Sequence, residues 1–289
     1  MQCSRLMYDG IKVSIRDEAL VEKLRNNDLL KFNQHCYIPT AEVTSYTSKY
    51  GGLNFELFSS SRVTINGSLH KYYNNGNNHD DFSMQKLKYT LMRLSDEFGV
   101  DPNTARLNNL EFGVNINTSF SPNAFLNDLQ SYKWQPFNMM SVKGKGYGKE
   151  CFHFRQYGLK IYNKGLQYGL PKNTLRIEKK IITMCALKRG HLYLSDLTNP
   201  ELWTHCKDEL IELLDHTIIN EPVNSKEFTK NEQRIYNAVI NQSNWVNFTR
   251  DKKARYKKSF NQIISDYGTQ NYRASILDLV TTKCDELLV

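Results

Sequence analysis

The chain has 289 residues, 40 % hydrophobic and 24 % charged, enough apolar material for a proper core and no compositional case for disorder. Its six cysteines lie far apart with no C-x-x-C pair, which argues against a disulfide scaffold or zinc knuckle and points to free thiols in a reducing cytoplasm. Secretion and membrane insertion are not expected either, because Arg5 and Asp9 bracket too few apolar residues for a signal peptide and the longest near-apolar run, Ile181 to Leu187, is far short of the ~20 residues that span a bilayer.

Ser83 is an N-cap signal ahead of Met84, Leu87, Leu91, Leu94 and Phe98 at helical spacing, closed by Gly99. Between Leu107 and Asn117, Leu110, Phe112, Val114 and Ile116 alternate with Glu111, Gly113, Asn115 and Asn117, as in a half-buried strand. Ser121-Pro122 opens a short helix, with serine as cap and proline in the first turn.

The segment from Cys151 to Lys180 repeats one design three times. Strand periodicity sets Phe152 and Phe154 against His153 and Arg155, Leu159 and Ile161 against Lys160, Tyr162 and Lys164, and Leu175 and Ile177 against Arg176 and Glu178. A meander through a Gln156–Gly158 turn gathers these polar side chains on one face over an apolar underside. They suit phosphodiester chemistry, with cations for phosphates, a hydroxyl nucleophile and a carboxylate able to ligate Mg²⁺ or Mn²⁺. The other reading is the solvated face that any antiparallel sheet presents.

A further helix begins at Asn199-Pro200 and carries Leu202, Trp203, Cys206, Leu210 and Leu213. Thr229 and Glu232 form a capping box before Ile235, Val239 and Ile240. Six cations then crowd nine residues (Arg250, Lys252, Lys253, Arg255, Lys257, Lys258) ahead of Phe260, Ile263, Ile264 and Tyr267, and a short closing helix covers about Ser275–Leu288. Without a Gly-rich phosphate loop, the pattern predicts an α+β domain over residues 1–221, an antiparallel sheet with helices packed on it, and a basic helical tail over 222–289. That tail reads either as a DNA-contacting module or as a packing extension of the first domain.

The net charge of +8 is concentrated. Residues 1–142 carry 14 Lys/Arg against 14 Asp/Glu, residues 143–189 carry 12 against 2, residues 190–225 carry 1 against 7, and residues 226–289 carry 11 against 7. A block as basic as 143–189 suits a polyanion, nucleic acid first, because neutralised phosphates release counterions. Solvated lysines are the bland alternative.

Leu159-Lys-Ile-Tyr-Asn-Lys164, followed after a loop by Leu175-Arg-Ile-Glu178, resembles the paired motifs of rolling-circle replication initiators, notably the gene II/X-type phage proteins and the Rep proteins of small staphylococcal plasmids. Gly67-Ser-Leu-His-Lys-Tyr-Tyr-Asn-Asn-Gly-Asn77 resembles the N-terminal block of the gene II/X-type proteins, and Glu111 stands where relatives often carry an aspartate. The resemblance covers roughly residues 60–190 and implies a Rep/HUH-like nicking domain.

What it implies chemically is a nicking-joining enzyme that attacks one strand of a phage or plasmid origin with a tyrosine, leaving a 5′-phosphotyrosyl link and a 3′-OH primer. Tyr162, one of 17 tyrosines, is then the nucleophile, with Lys160 and Lys164 flanking it and Arg176 on the scissile phosphate. Glu178 and Glu111 are the implied ligands of a divalent Mg²⁺ or Mn²⁺. The paired histidines of HUH nickases are missing, since His153-Phe154-Arg155 and His35-Cys36-Tyr37 both break the triplet. At most one histidine, His153 or His70, joins the carboxylates, and an isolated histidine is more often structural. Arg155 and the pair Lys71 and Tyr72 are further DNA contacts, Tyr72 and Tyr73 serving as stacking platforms or as core. Lys252, Lys253, Lys257 and Lys258 extend the contact through the tail.

The implied partner is origin DNA, duplex and single-stranded, in a bacterial cytoplasm and away from any membrane, with a host helicase and a second copy of the chain as further candidates. Two other classes stay open: a DNA-binding regulator without nicking activity, and a strand-transfer enzyme such as a transposase or relaxase.

Overall fold

The computed structural model describes residues 7–39, 42–78, 80–142, 144–169 and 171–286. Within them the elements run β1 (Met7–Arg16), α1 (Glu18–Arg25), β2 (Asn33–Tyr37), β3 (Glu42–Tyr50), β4 (Leu53–Phe58), β5 (Arg62–Ser68), α2 (Leu69–Tyr73), α3 (Met84–Phe98), β6 (Arg106–Asn117), α4 (Pro122–Asp128), β7 (Leu129–Tyr132), β8 (Gln135–Pro136), β9 (Asn138–Val142), β10 (Lys145–His153), β11 (Tyr157–Asn163), α5 (Lys164–Tyr168), β12 (Thr174–Ile181), α6 (Pro200–Asp215), β13 (Thr217–Ile219), α7 (Lys230–Ile240), α8 (Arg250–Tyr267) and α9 (Tyr272–Asp285). The fold is α+β. Ten strands form one antiparallel sheet in the order β2-β3-β4-β5-β1-β6-β12-β11-β10-β9, and β13-β7-β8 form a small second sheet.

Local chemistry explains the main elements. Ser83 caps α3 by accepting the Lys86 amide at 2.9 Å, and Gly99 ends it with a left-handed φ of 73°. Along β6, Leu110, Phe112, Val114 and Ile116 are buried against Ile181, Ile177 and Leu175 of β12, with Leu159 and Ile161 of β11 beyond. Helices complete this core: Trp203 of α6 meets Tyr8 of β1 edge-on at 5.6 Å, and Ile276, Val280 and Cys284 of α9 join the same cluster. Cys36, Cys151, Cys185, Cys206 and Cys284 are free thiols, whereas Cys3 lies outside the described residues. No described helix is long and apolar enough to cross a membrane.

The tail divides its packing. Helices α7 and α8 build a second cluster from Ile235, Val239, Phe260 and Ile263 with Ile218 of β13. Helix α9 returns to the main core, where the buried Glu221 carboxylate accepts the amides of Tyr272 and Arg273 at 2.9 and 3.0 Å.

Two local departures matter for the site. The β10–β11 hairpin turns through Phe154–Gln156, not Gln156–Gly158, because His153 pairs with Tyr157. Strand β11 stops at Asn163, whose side chain accepts the Leu166 amide at 2.8 Å and starts α5, so Lys164 sits on a helix and not on the strand face.

Candidate active site

The sheet has a core face and an open face. Glu111 and Asn115 of β6, Lys160 and Tyr162 of β11, and Arg176, Glu178 and Lys180 of β12 share the open face by register. A β-bulge adds one more group. Strand β1 pairs Tyr8 with Phe112 and Ile11 with Leu110, so that Asp9 and Gly10 together oppose Glu111, and Asp9 is turned toward the same cluster.

Glu178 is the hub. Its Oε2 accepts from Arg176 Nε at 2.6 Å and from the Tyr162 hydroxyl at 3.3 Å, while its Oε1 accepts from Lys160 Nζ at 3.1 Å. Lys160 also donates to Glu111 Oε1, and Lys180 approaches the other Glu111 oxygen at 3.7 Å. Arg176 reaches Asn115 Oδ1 at 3.3 Å and Asp9 Oδ2 at 3.6 Å. Asn78, in the segment after α2, donates to Asp9 at 2.9 Å and gives its carbonyl to Lys164 Nζ at 2.6 Å. Ser68 donates to the other Asp9 oxygen, and Tyr168 of α5 donates to Asn78.

Close backbone approach makes room for these side chains. A Cβ on Gly148 would stand 2.2 Å from Tyr162 Cβ, and one on Gly113 would stand 2.3 Å from the Ile177 carbonyl and 3.1 Å from Glu178 Cβ.

The electrostatics follow from burial. Although desolvation works against it, Glu178 is held well below the usual carboxylate range by Arg176 and Lys160. Burial and the Glu178 charge push Glu111 the other way, up to about 8, so the two neighbouring carboxyls are driven apart in proton affinity. Burial and then Arg176 lower Lys164 to about 7. Tyr162 is only 7 % exposed, and burial followed by the Glu178 charge raises its hydroxyl well above the ordinary phenol range. The set therefore places two cations, Lys160 and Arg176, on one carboxylate with a phenol hydroxyl alongside.

A divalent ion does not fit this arrangement as it stands. Hard cations take six or more oxygen ligands, yet the Lys160 ammonium bridges the Glu111 and Glu178 side chains and Arg176 engages the remaining Glu178 oxygen. Among the described residues no group of three or more His, Cys, Asp or Glu converges as a metal site.

Of the residues singled out from the sequence, Tyr162, Lys160, Arg176, Glu178 and Glu111 come together, and Lys164 joins them from α5. His153 does not. Its register partner Tyr157 pairs with Ile181, which puts His153 on the opposite face of the sheet from Glu178, and Arg155 lies in the hairpin turn. Both displacements follow from the turn falling at 154–156, which shifts the alternation. Tyr72 is fully buried beside Phe98 with its hydroxyl on Glu97 at 2.7 Å, so the stacking-platform reading gives way to core; Tyr73 packs edge-on to Tyr89. Lys71 is half-buried on the same helix. His70 is buried and pairs with Asp80 at 2.6 Å, which Lys86 also holds at 2.8 Å, a structural tie of the α2 segment. Lys252, Lys253, Lys257 and Lys258 lie on α8, with Lys252 over Phe248 and Lys257 3.7 Å from Asp215.

Sequence reasoning missed Asp9, Asn78 and a basic strip on the same open face. Lys12, Arg16, Arg62 and Arg106 surround a depression of about 910 Å³ in which, among the described residues, Glu56 is the one acidic lining residue and buried Arg62 Nε has no hydrogen-bond partner. The signal for Asp9 was present, since Tyr8 and Ile11 are apolar at a spacing of three in an otherwise alternating strand.

No family model matches the sequence, and no curated protein is similar to it in sequence. Among solved structures the chain is similar to the rolling circle replication initiator protein from Geobacillus stearothermophilus, with a TM-score of 0.41 and 12 % identity over 80 % of this chain and 91 % of that one.

Proposed function

We propose that the chain nicks and rejoins DNA through Tyr162 and serves as a replication initiator of the rolling-circle type. The observation that supports the reading most is the hydroxyl of Tyr162 on Glu178, 3.3 Å away, with Arg176 and Lys160 on the same carboxylate. In the proposed step the Tyr162 oxygen, oriented by Glu178, attacks phosphorus and its proton passes to water as the new P–O bond forms. The P–O3′ bond breaks, the 5′ side stays on the tyrosine as a phosphodiester, and the 3′ oxygen takes a proton from water to become the primer hydroxyl. Lys160 and Arg176 stabilise the developing charge, Arg176 by its planar fork. Rejoining is the reverse. The basic strip from Lys12 to Arg106 seats flanking phosphates. No step here runs through a metal, and a divalent ion would enter only by displacing Lys160.

The burial of Tyr162 supports a second reading, a DNA-binding regulator that never forms a covalent adduct. Incubating the protein with a supercoiled plasmid carrying its own gene, with and without Mn²⁺, separates the two. Open circles with protein bound through a denaturant-resistant link support the nickase; retarded but intact supercoils support the regulator.

A further inference from the structure

A second basic depression, of about 1290 Å³, lies between α8 and two hairpin turns. Both turns break the usual sequence rule. Lys133 and Trp134, between β7 and β8, have φ of 48° and 63°, and Phe154 and Arg155, between β10 and β11, have φ of 47° and 56°. Consecutive left-handed residues in a hairpin favour Asn-Gly, and each bulky residue held there is strained. Strain of this kind concentrates where a site requires a particular side chain. Here it delivers Lys133, Trp134 and Phe154 to a single groove.

The groove is built for a flexible anion with a flat apolar part. Phe154 is 74 % exposed, its ring 4.2 Å from that of His153, whose buried Nδ1 has no hydrogen-bond partner among the described residues. The facing wall is α8, where Arg250, Lys253 and Lys258 line the groove without an acidic partner among the described residues. Asp215 is the one acidic lining residue among those described, and Lys257 already stands 3.7 Å from it.

We infer that this groove binds single-stranded nucleic acid, an unpaired base stacking on Phe154 and the adjoining phosphates lying along α8. Duplex DNA keeps its bases stacked on one another and offers no free face to the ring. The inference deepens the DNA-processing reading and rests on it for its biological sense. It assigns the single strand a site on the core-face side of β10, away from Tyr162.

The test is fluorescence anisotropy of the full chain with a labelled thymidylate 15-mer and with a duplex of equal length. Phe154→Asn removes the ring and keeps a residue that tolerates left-handed φ, so the turn survives. It should weaken 15-mer binding about tenfold, the scale of one base–aromatic stack, and leave the duplex unchanged. Lys253→Ala should flatten the dependence of log affinity on log salt by about 0.7 for the single strand. Wild-type affinity for the 15-mer in Phe154→Asn, or equal weakening on both DNAs, would overturn the inference, as would no 15-mer binding by the wild type. Adduct formation by the wild type is read separately. Its absence would sink the nickase while leaving the groove result standing.

Discussion

Tyr162 and Glu178 stand on adjacent antiparallel strands, hydroxyl to carboxylate at 3.3 Å, at 7 % and 2 % exposure. Arg176 ties the pair from within β12 itself, two residues from Glu178 and directly across from Tyr162 in register. A phenol placed this way cannot ionise alone, because burial penalises its charge. The Glu178 charge beside it opposes the phenolate further.

Tyr162→Phe should abolish the denaturant-resistant protein–DNA adduct on an origin strand while the fold stays. Glu178 keeps Arg176 and Lys160 as partners, so the loss of one hydrogen bond should cost no more than about 1.5 kcal/mol in urea unfolding. An adduct that persists, mapped by mass spectrometry to Tyr168 or to Tyr147, whose ring meets that of Tyr162 edge-on at 5.7 Å, would move the nucleophile without removing the chemistry.

Glu178→Gln and Glu111→Gln should differ sharply. The first removes the charge that the fully buried Arg176 meets at 2.6 Å, and breaking a buried pair costs about 3–5 kcal/mol. The second puts an amide of the same shape in place of a carboxyl whose hold on its proton is strengthened by burial and the Glu178 charge. Equal losses of stability in the two variants would show that the proton is not placed on Glu111.

The pH dependence of stability follows with its sign. Glu111 is raised in the fold from 4.5 to about 8, so between those values the unfolded chain binds fewer protons and stability falls as pH rises. Lys164 is lowered from 10.5 to about 7, so between those values the unfolded chain binds more protons and stability rises with pH. Glu111→Gln should remove the first slope and Lys164→Met the second, as measured by unfolding midpoints across the range. A wild-type-like slope in either variant would refute its assignment.

Lys160→Met takes the ammonium away from Glu111 and Glu178 and leaves two carboxyls facing one another. Mn²⁺ should then raise the thermal midpoint of the variant and scarcely move that of the wild type, with EDTA reversing the gain. An equal Mn²⁺ response in the wild type would mean that the ion binds without displacing Lys160.

How much of this was legible depends on whether a residue's role is set locally. Ser83, Gly99 and the alternation of Leu110 to Ile116 specify α3 and β6 from short-range rules, and both stand where periodicity puts them. Lys160, Tyr162, Arg176 and Glu178 share a face because strand alternation survives any correct pairing. His153 and Arg155 were misplaced because alternation across a hairpin depends on its loop, and a left-handed Phe154-Arg155 carries no glycine to announce it. Lys12, Arg16, Arg62 and Arg106 stayed hidden because counting charge by segment averages the two faces of a strand, and the first 142 residues balance at 14 against 14.

The return of α9 to the main core has a mechanical consequence. Arg273 donates to the carbonyls of Leu214 and Thr217, and Glu221 caps the same helix, so the α7–α8 excursion is fastened at entry and exit. A protease cutting the 241–249 connection would nick the backbone without freeing a fragment. Under native conditions the two pieces should co-elute as one particle, with the wall that α8 forms still in position.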